Sequence, residues 1–179
     1  MSADYLISSL PSVSFDSQPP VTKEYFFSAV ETQLSQSDAL AVKSVFSGTY
    51  SSHPLAKKWF DLETQLRNAM ATERAKRIEK DPSKWTKPAE GLSVFWTGKI
   101  AEAFNEKNPA QREKLLDQVF FAAAEELTPV TSPLSAAAAF TYAVRLKIAI
   151  KRASFNEAQG NEVFDKLTAA ASPEAVLKE

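Results

Sequence analysis

A chain of 179 residues that is 44% hydrophobic and 24% charged has enough apolar material for one domain, or for two small lobes on a shared core. Its net charge of −1 excludes the clear basic excess that general nucleic-acid or acidic-membrane binding requires. The lack of cysteine excludes disulfides and thiolate metal sites, and a single histidine leaves zinc with little but carboxylates to bind.

In residues 1–21, Tyr5, Leu6, Ile7, Leu10, Val13 and Phe15 are apolar, but Pro11, Pro19 and Pro20 break helices. The pattern predicts an extended arm or a short strand packed on the body. Asp4 stands where a secretory signal needs basic residues, and the apolar run beside it is short for such a signal.

Thr22 reads as a helix N-cap, with Glu24 in the first turn where the helix dipole favours it. Tyr25, Phe26, Ala29, Val30 and Leu34 form one apolar face ending near Gln36. Ser37-Asp38 is expected to cap a short helix that stops at Gly48, with Leu40, Val42, Val45 and Phe46 inward. Residues 54–80 carry no glycine and no proline after Pro54. Their apolar stripe, Trp59, Leu62, Leu66, Ala69 and Met70, predicts one long helix. Glu63/Arg67 and Glu73/Arg77 are spaced as i,i+4 pairs, worth about 0.2–0.5 kcal/mol each.

Asp81–Gly91 holds two prolines and a terminal glycine, so it is the expected linker between residues 1–80 and 92–179. Leu92, Trp96, Ile100 and Phe104 recur at i+4 steps through 92–107. Asn108-Pro109 is a cap followed by proline at the first helical position. It opens a helix over 109–127 with Leu115, Leu116, Val119, Phe120, Ala123 and Leu127 inward. Ser132-Pro133 gives the same signal for 133–153, where Leu134, Ala138, Thr141 or Val144, Leu146, Ile148 and Ala149 are expected inside. Ser172-Pro173 repeats it. A last helix near Asn156–Ala171 offers Val163, Phe164 and Leu167, with Gly160 weakening its start. At an offset of eighty, Phe60, Leu66, Arg67 and Ala69 align with Phe140, Leu146, Lys147 and Ala149. The expected fold is all-α, a bundle of antiparallel amphipathic helices with an extended N-terminal arm. No stretch approaches the roughly 18–20 apolar residues of a membrane span.

Chemistry is sparse. His53 precedes a proline at a helix start, where it reads as a cap or a solvated residue. No Gly-x-Ser-x-Gly elbow or Ser-x-x-Lys motif exists, and Gly48, Gly91, Gly98 and Gly160 are too scattered to cradle a phosphate. Glu125-Glu126 point about 100° apart on a helix and read as solvated acids. Trp59, Trp85 and Trp96 read as packing residues. The turn from Glu73 to Lys80 leaves positive charge over, because Glu73 pairs with one base at a time. Arg74 and Arg77, with Arg145 and Arg152 on the 133–153 helix, are the candidate partner-binding residues. No catalytic, cofactor or metal residue stands out, and neither ATP nor zinc is expected to bind tightly.

Tyr5-Leu6-Ile7-Ser8-Ser9-Leu10-Pro11-Ser12-Val13-Ser14-Phe15-Asp16 resembles the opening of a bacterial family of short all-helical proteins encoded beside the genes of V-type ATPases. Trp59-Phe60-Asp61-Leu62-Glu63-Thr64-Gln65-Leu66-Arg67-Asn68, running on to Arg74-Ala75-Lys76-Arg77, is also similar to it. So are Asn108-Pro109 with Leu115-Leu116-Asp117, and Tyr142-Ala143-Val144-Arg145-Leu146-Lys147-Ile148. The likeness spans nearly the whole chain. A more distant similarity is to the funnel-shaped central-stalk connector of V/A-type ATPases, whose repeated unit has a long helix with Glu-x-x-x-Arg/Asn and a basic final turn. Glu63-x-x-x-Arg67-Asn68 to Arg74-x-x-Arg77 matches that unit. Tyr142–Arg152 matches it with Ala143 in place of an acid.

The resemblance implies a non-catalytic V-type ATPase component, a helical connector between the central shaft and the membrane rotor ring. Its partners would be other V-type ATPase subunits, with no nucleic acid, no membrane insertion and no small-molecule substrate. It would sit in the cytoplasm, peripheral to the membrane through the complex. The alternatives are an ATPase assembly or regulatory factor, and a small helical enzyme that uses carboxylates alone.

Overall fold

A computed structural model describes residues 3–155 and Gly160. Among the described residues the secondary structure is helical throughout: α1 (Asp4–Ser9), α2 (Lys23–Gln33), α3 (Gln36–Ser47), α4 (Pro54–Arg77), α5 (Val94–Ala103), α6 (Pro109–Ala123) and α7 (Ala136–Ala153), with 3-10 turns at Pro82–Lys84 and Ala124–Leu127. The helix expected near Asn156–Ala171, with Val163, Phe164 and Leu167, lies outside the described residues, as does Ser172-Pro173. No helix among the described residues is long and apolar enough to cross a membrane.

Several helix starts follow the expected chemistry. Thr22 Oγ1 accepts from the Tyr25 N–H at 3.2 Å. Asn108 Oδ1 accepts from the Ala110 N–H at 2.9 Å ahead of Pro109. His53 Nδ1 accepts from the Leu55 N–H at 3.3 Å, while its Nε2 lies 3.3 Å from Asp38 Oδ1, tying the start of α4 to α3.

Other starts shift. Ser35, two residues before the expected cap, takes the N-cap of α3: its Oγ accepts from the Asp38 N–H at 3.1 Å and donates to Asp38 Oδ2 at 2.7 Å. Ser132-Pro133 opens a turn instead of a helix. The Ser135 N–H donates to the Ser132 carbonyl at 3.3 Å, and α7 begins after Ser135. Proline suits the second position of a turn as well as the first of a helix, so the dipeptide does not distinguish them.

The N-terminal arm is a correction in part. Residues 4–9 form a helix, because Pro11, Pro19 and Pro20 all lie beyond it. Leu6 is its fully buried anchor, and the Ala3 N–H donates to the Leu134 carbonyl at 3.0 Å. The irregular chain that follows crosses α6 and α7. Phe15 meets Phe121 edge-on with centroids 5.5 Å apart, and the Tyr142 hydroxyl donates to the Pro11 carbonyl at 3.1 Å.

Burial, with Tyr25 nearby, pushes the Tyr142 phenol up to about 12. In the unfolded chain it would ionise near 10. A raised pKa means the group's stabilising contribution is complete below pH 10 and is lost as pH rises through 12. Phenolate absorbance is therefore expected to show a late ionisation step near pH 12 that Tyr142→Phe removes.

One apolar cluster joins elements from Ala3 to Ile148, among them Phe26, Val42, Leu66, Ile100, Phe140 and Leu146. The most extensive helix pairing is α3 with α7. Ala39 and Ala41 on α3 and Ala137, Ala139, Ala143 and Ala149 on α7 are all buried, and small side chains of this kind let helix axes approach closely. Leu40, Tyr25, Leu115 and Leu134, expected inside, are exposed. The expected linker 81–91 is strapped along α4. Asn68 Oδ1 accepts from the Lys87 N–H at 2.9 Å, and Asn68 Nδ2 donates to the Lys87 carbonyl at 2.7 Å. Gln65 does the same with the Ser93 N–H and the Glu90 carbonyl. The strap therefore runs antiparallel to α4 and delivers α5 against it.

Candidate partner-binding face

Three of the four predicted arginines are held within the protein. Arg77 lies over the Phe104 ring, 5.2 Å from its centroid, and donates to the Phe104 carbonyl at the end of α5. The expected Glu73/Arg77 pair does not form. Glu73 instead accepts from Lys76 Nζ at 2.6 Å. Arg145 covers Phe121 at 4.6 Å, pairs with Glu125, and donates to the Phe121 carbonyl at 3.3 Å. Arg152 covers Phe15 at 4.2 Å, with Nη1 3.7 Å from Asp117 Oδ2. The two arginines of α7 face α6 and the arm, whereas those of α4 lie at its end near α5. They do not form one surface.

Arg74 is exposed and makes no ion pair among the described residues. With Ala71, Ala75, Ile78 and Trp85 it lines a groove of about 310 Å³. Ile78 and Trp85 are 59% and 51% exposed, so Trp85 is a surface residue and not the packing residue expected. Trp59 is buried and Trp96 half-buried, its Nε1 donating to Glu126.

Local backbone chemistry builds this face. The Lys80 N–H donates to the Ala75 carbonyl at 3.0 Å and the Glu79 N–H to the Lys76 carbonyl at 3.3 Å. These are the two bonds of a Schellman turn, which needs a left-handed residue, and Glu79 supplies it with φ 51. Glu79→Gly is expected to raise the unfolding free energy by about 0.5–1 kcal/mol, read from the denaturant midpoint. Beyond the turn Asp81 caps the Pro82–Lys84 turn, and the side-chain and backbone hydrogen bonds from Ser83 hold its carboxyl below the usual range. From Glu73 to Lys87 there are six basic and three acidic residues, so a chain of net charge −1 concentrates positive charge here.

The pairing of exposed Ile78 with Trp85 in one groove escapes a sequence reading because it depends on the turn that ends α4, which no local pattern announces. Lys147 escapes it too. The offset-of-eighty alignment sets Lys147 opposite Arg67, and both line one cavity between α4, α6 and α7. No group of three or more His, Asp or Glu able to hold a metal occurs among the described residues. No family model, curated protein or solved structure matches the chain.

Proposed function

We propose that the protein is a non-catalytic, all-helical component of a bacterial V-type ATPase, acting as a connector between the central shaft and the membrane rotor ring. It would support ATP-driven or ATP-synthesising ion transport from the cytoplasmic side. The observation that carries the reading is the basic end of α4, where Arg74 lines a groove with exposed Ile78 and Trp85, and neither Arg74 nor Lys80, two residues beyond Ile78, makes an ion pair among the described residues. An exposed apolar pair beside an arginine with no ion pair among the described residues fits an acidic helical partner. Charge complementarity would set association rate and orientation, and the tryptophan would anchor the contact. The choice of complex rests on the resemblance to the ATPase-linked family. The cavity acids do not favour an enzyme, since Glu63 is bound to Arg67 and Glu113 and Asp117 to Lys151.

The test is co-purification of tagged protein from native membranes. Arg77 stays in place because it holds Phe104. Arg74→Glu with Lys80→Glu is expected to melt like wild type and to lose capture of the ATPase. Wild-type capture should weaken with salt, as the screening length falls from about 10 Å at 0.1 M to about 3 Å at 1 M. Recovery of the soluble head without the rotor ring would indicate the assembly factor. A charge-reversed variant that is captured as well as wild type would remove this face from the reading, and capture of no ATPase component at all would remove the reading itself.

A further inference from the structure

The cavity between α4, α6 and α7 has a volume of about 260 Å³ and apolar walls that include Trp59, Met70, Phe120 and Ile148. Its six charged residues, three acids and three bases, are mostly paired with one another, although the buried Asp117 Oδ2 has no hydrogen-bond partner among the described residues and Arg152 Nη1 is 3.7 Å from it. Arg67 donates to Glu63 at 2.6 and 3.0 Å. Lys151 bridges Glu113 and Asp117, both at 2.8 Å. Lys147 is the exception: its Nζ donates to the Val45 carbonyl at 2.6 Å and meets no carboxylate within ion-pair distance among the described residues.

An ammonium has three protons to donate, so two of those on Lys147 have no protein acceptor among the described residues. Lys147 is half-buried, and removing a charge from water is costly. Desolvation lowers the Lys147 pKa, with Glu63 opposing and nearby Arg67 assisting. An anion in the cavity would complete the hydrogen bonding of Lys147 and offset its charge. The volume falls below the roughly 300–1,000 Å³ of pockets for drug-sized ligands, which limits the occupant to a single ring or a short branched chain.

We propose that this cavity binds a small apolar carboxylate, an aromatic or branched acid whose carboxylate accepts from Lys147 while its ring or chain lies against Trp59, Phe120 and Ile148. The site shares Arg67 with the groove at the end of α4 but does not depend on the ATPase reading. It departs from the expectation that the chain has no small-molecule partner.

Calorimetric titration with phenylacetate, phenylacetamide, benzylamine and inorganic phosphate tests it. Phenylacetate is expected to bind one to one, about tenfold or more tighter than the neutral amide, because a carboxylate adds charge–charge attraction to the hydrogen bond that both ligands accept from the ammonium. The amine and phosphate should bind more weakly still. Lys147→Met should abolish the preference for the acid without lowering the melting temperature, and Lys147→Arg should restore it. In the wild-type chain phenylacetate should slow acetylation of Lys147 by acetic anhydride while leaving the exposed Lys58 unaffected. Equal binding of acid and amide, no binding of the acid, an unchanged Lys147→Met variant, or no protection of Lys147 would each overturn the proposal.

Discussion

Leu66→Ala and Leu146→Ala are each expected to lower the unfolding free energy by about 2–5 kcal/mol. Both leucines are fully buried, one near the middle of α4 and the other on α7, in the same apolar cluster. Truncation removes the transfer free energy of the lost carbons and leaves a cavity that surrounding helices cannot collapse into without losing their own contacts. Folded domains are stable by only about 5–15 kcal/mol, so either change takes a large share. Urea titration should show the midpoint falling with the slope unchanged. A midpoint that stays within error for both variants would mean that these helices do not pack through the stripe that carries the leucines.

The second large effect is expected at Phe26. Phe26→Ala should cost about 3–5 kcal/mol, whereas Tyr25→Ala, one position away, should cost less than about 0.5 kcal/mol. The Phe26 ring is fully buried, 5.2 Å from Tyr142 and 6.4 Å from Phe46 by centroids. It therefore couples α2 to both α3 and α7. Tyr25 is 57% exposed and has little to lose. Thermal melts of the two variants should separate clearly, and equal losses would show that the α2 face is turned differently.

That neighbouring pair shows what is legible in the sequence. Periodicity locates α2, α4 and α6 and most of their buried residues, because the 3.6-residue repeat and the caps at Thr22 and Asn108 are local. It makes the apolar faces too wide. Hydropathy alone draws Tyr25 and Leu40 inside, while Ala39 and Ala41, on either side of Leu40, are the buried ones. The candidate site is less legible still. Arg77 reaches a carbonyl 27 positions away and Arg145 one 24 positions away, and no local pattern encodes such partners. Arg74 is surplus charge in the sequence and in the fold, but the groove beside it depends on a left-handed glutamate that nothing in composition announces.

The paired amide bonds of Gln65 and Asn68 have a wider consequence. A carboxamide offers a donor and an acceptor side by side, as a peptide group does. α4 therefore presents, on its flank, a surrogate strand edge that the following chain adopts as a template. The route of that chain is written in a helix and not in the segment that takes it. Pro88 and Gly91 permit the path; Asn68 and Gln65 prescribe it, each through main-chain groups that every residue except proline offers in full. The strap can thus change its side chains widely while keeping its course, whereas Gln65→Glu and Asn68→Asp, nearly identical in shape, would erase the donors that set it. Where α5 begins, and which way Leu92, Val94 and Phe95 face, is a message held by two residues that precede them by more than twenty positions.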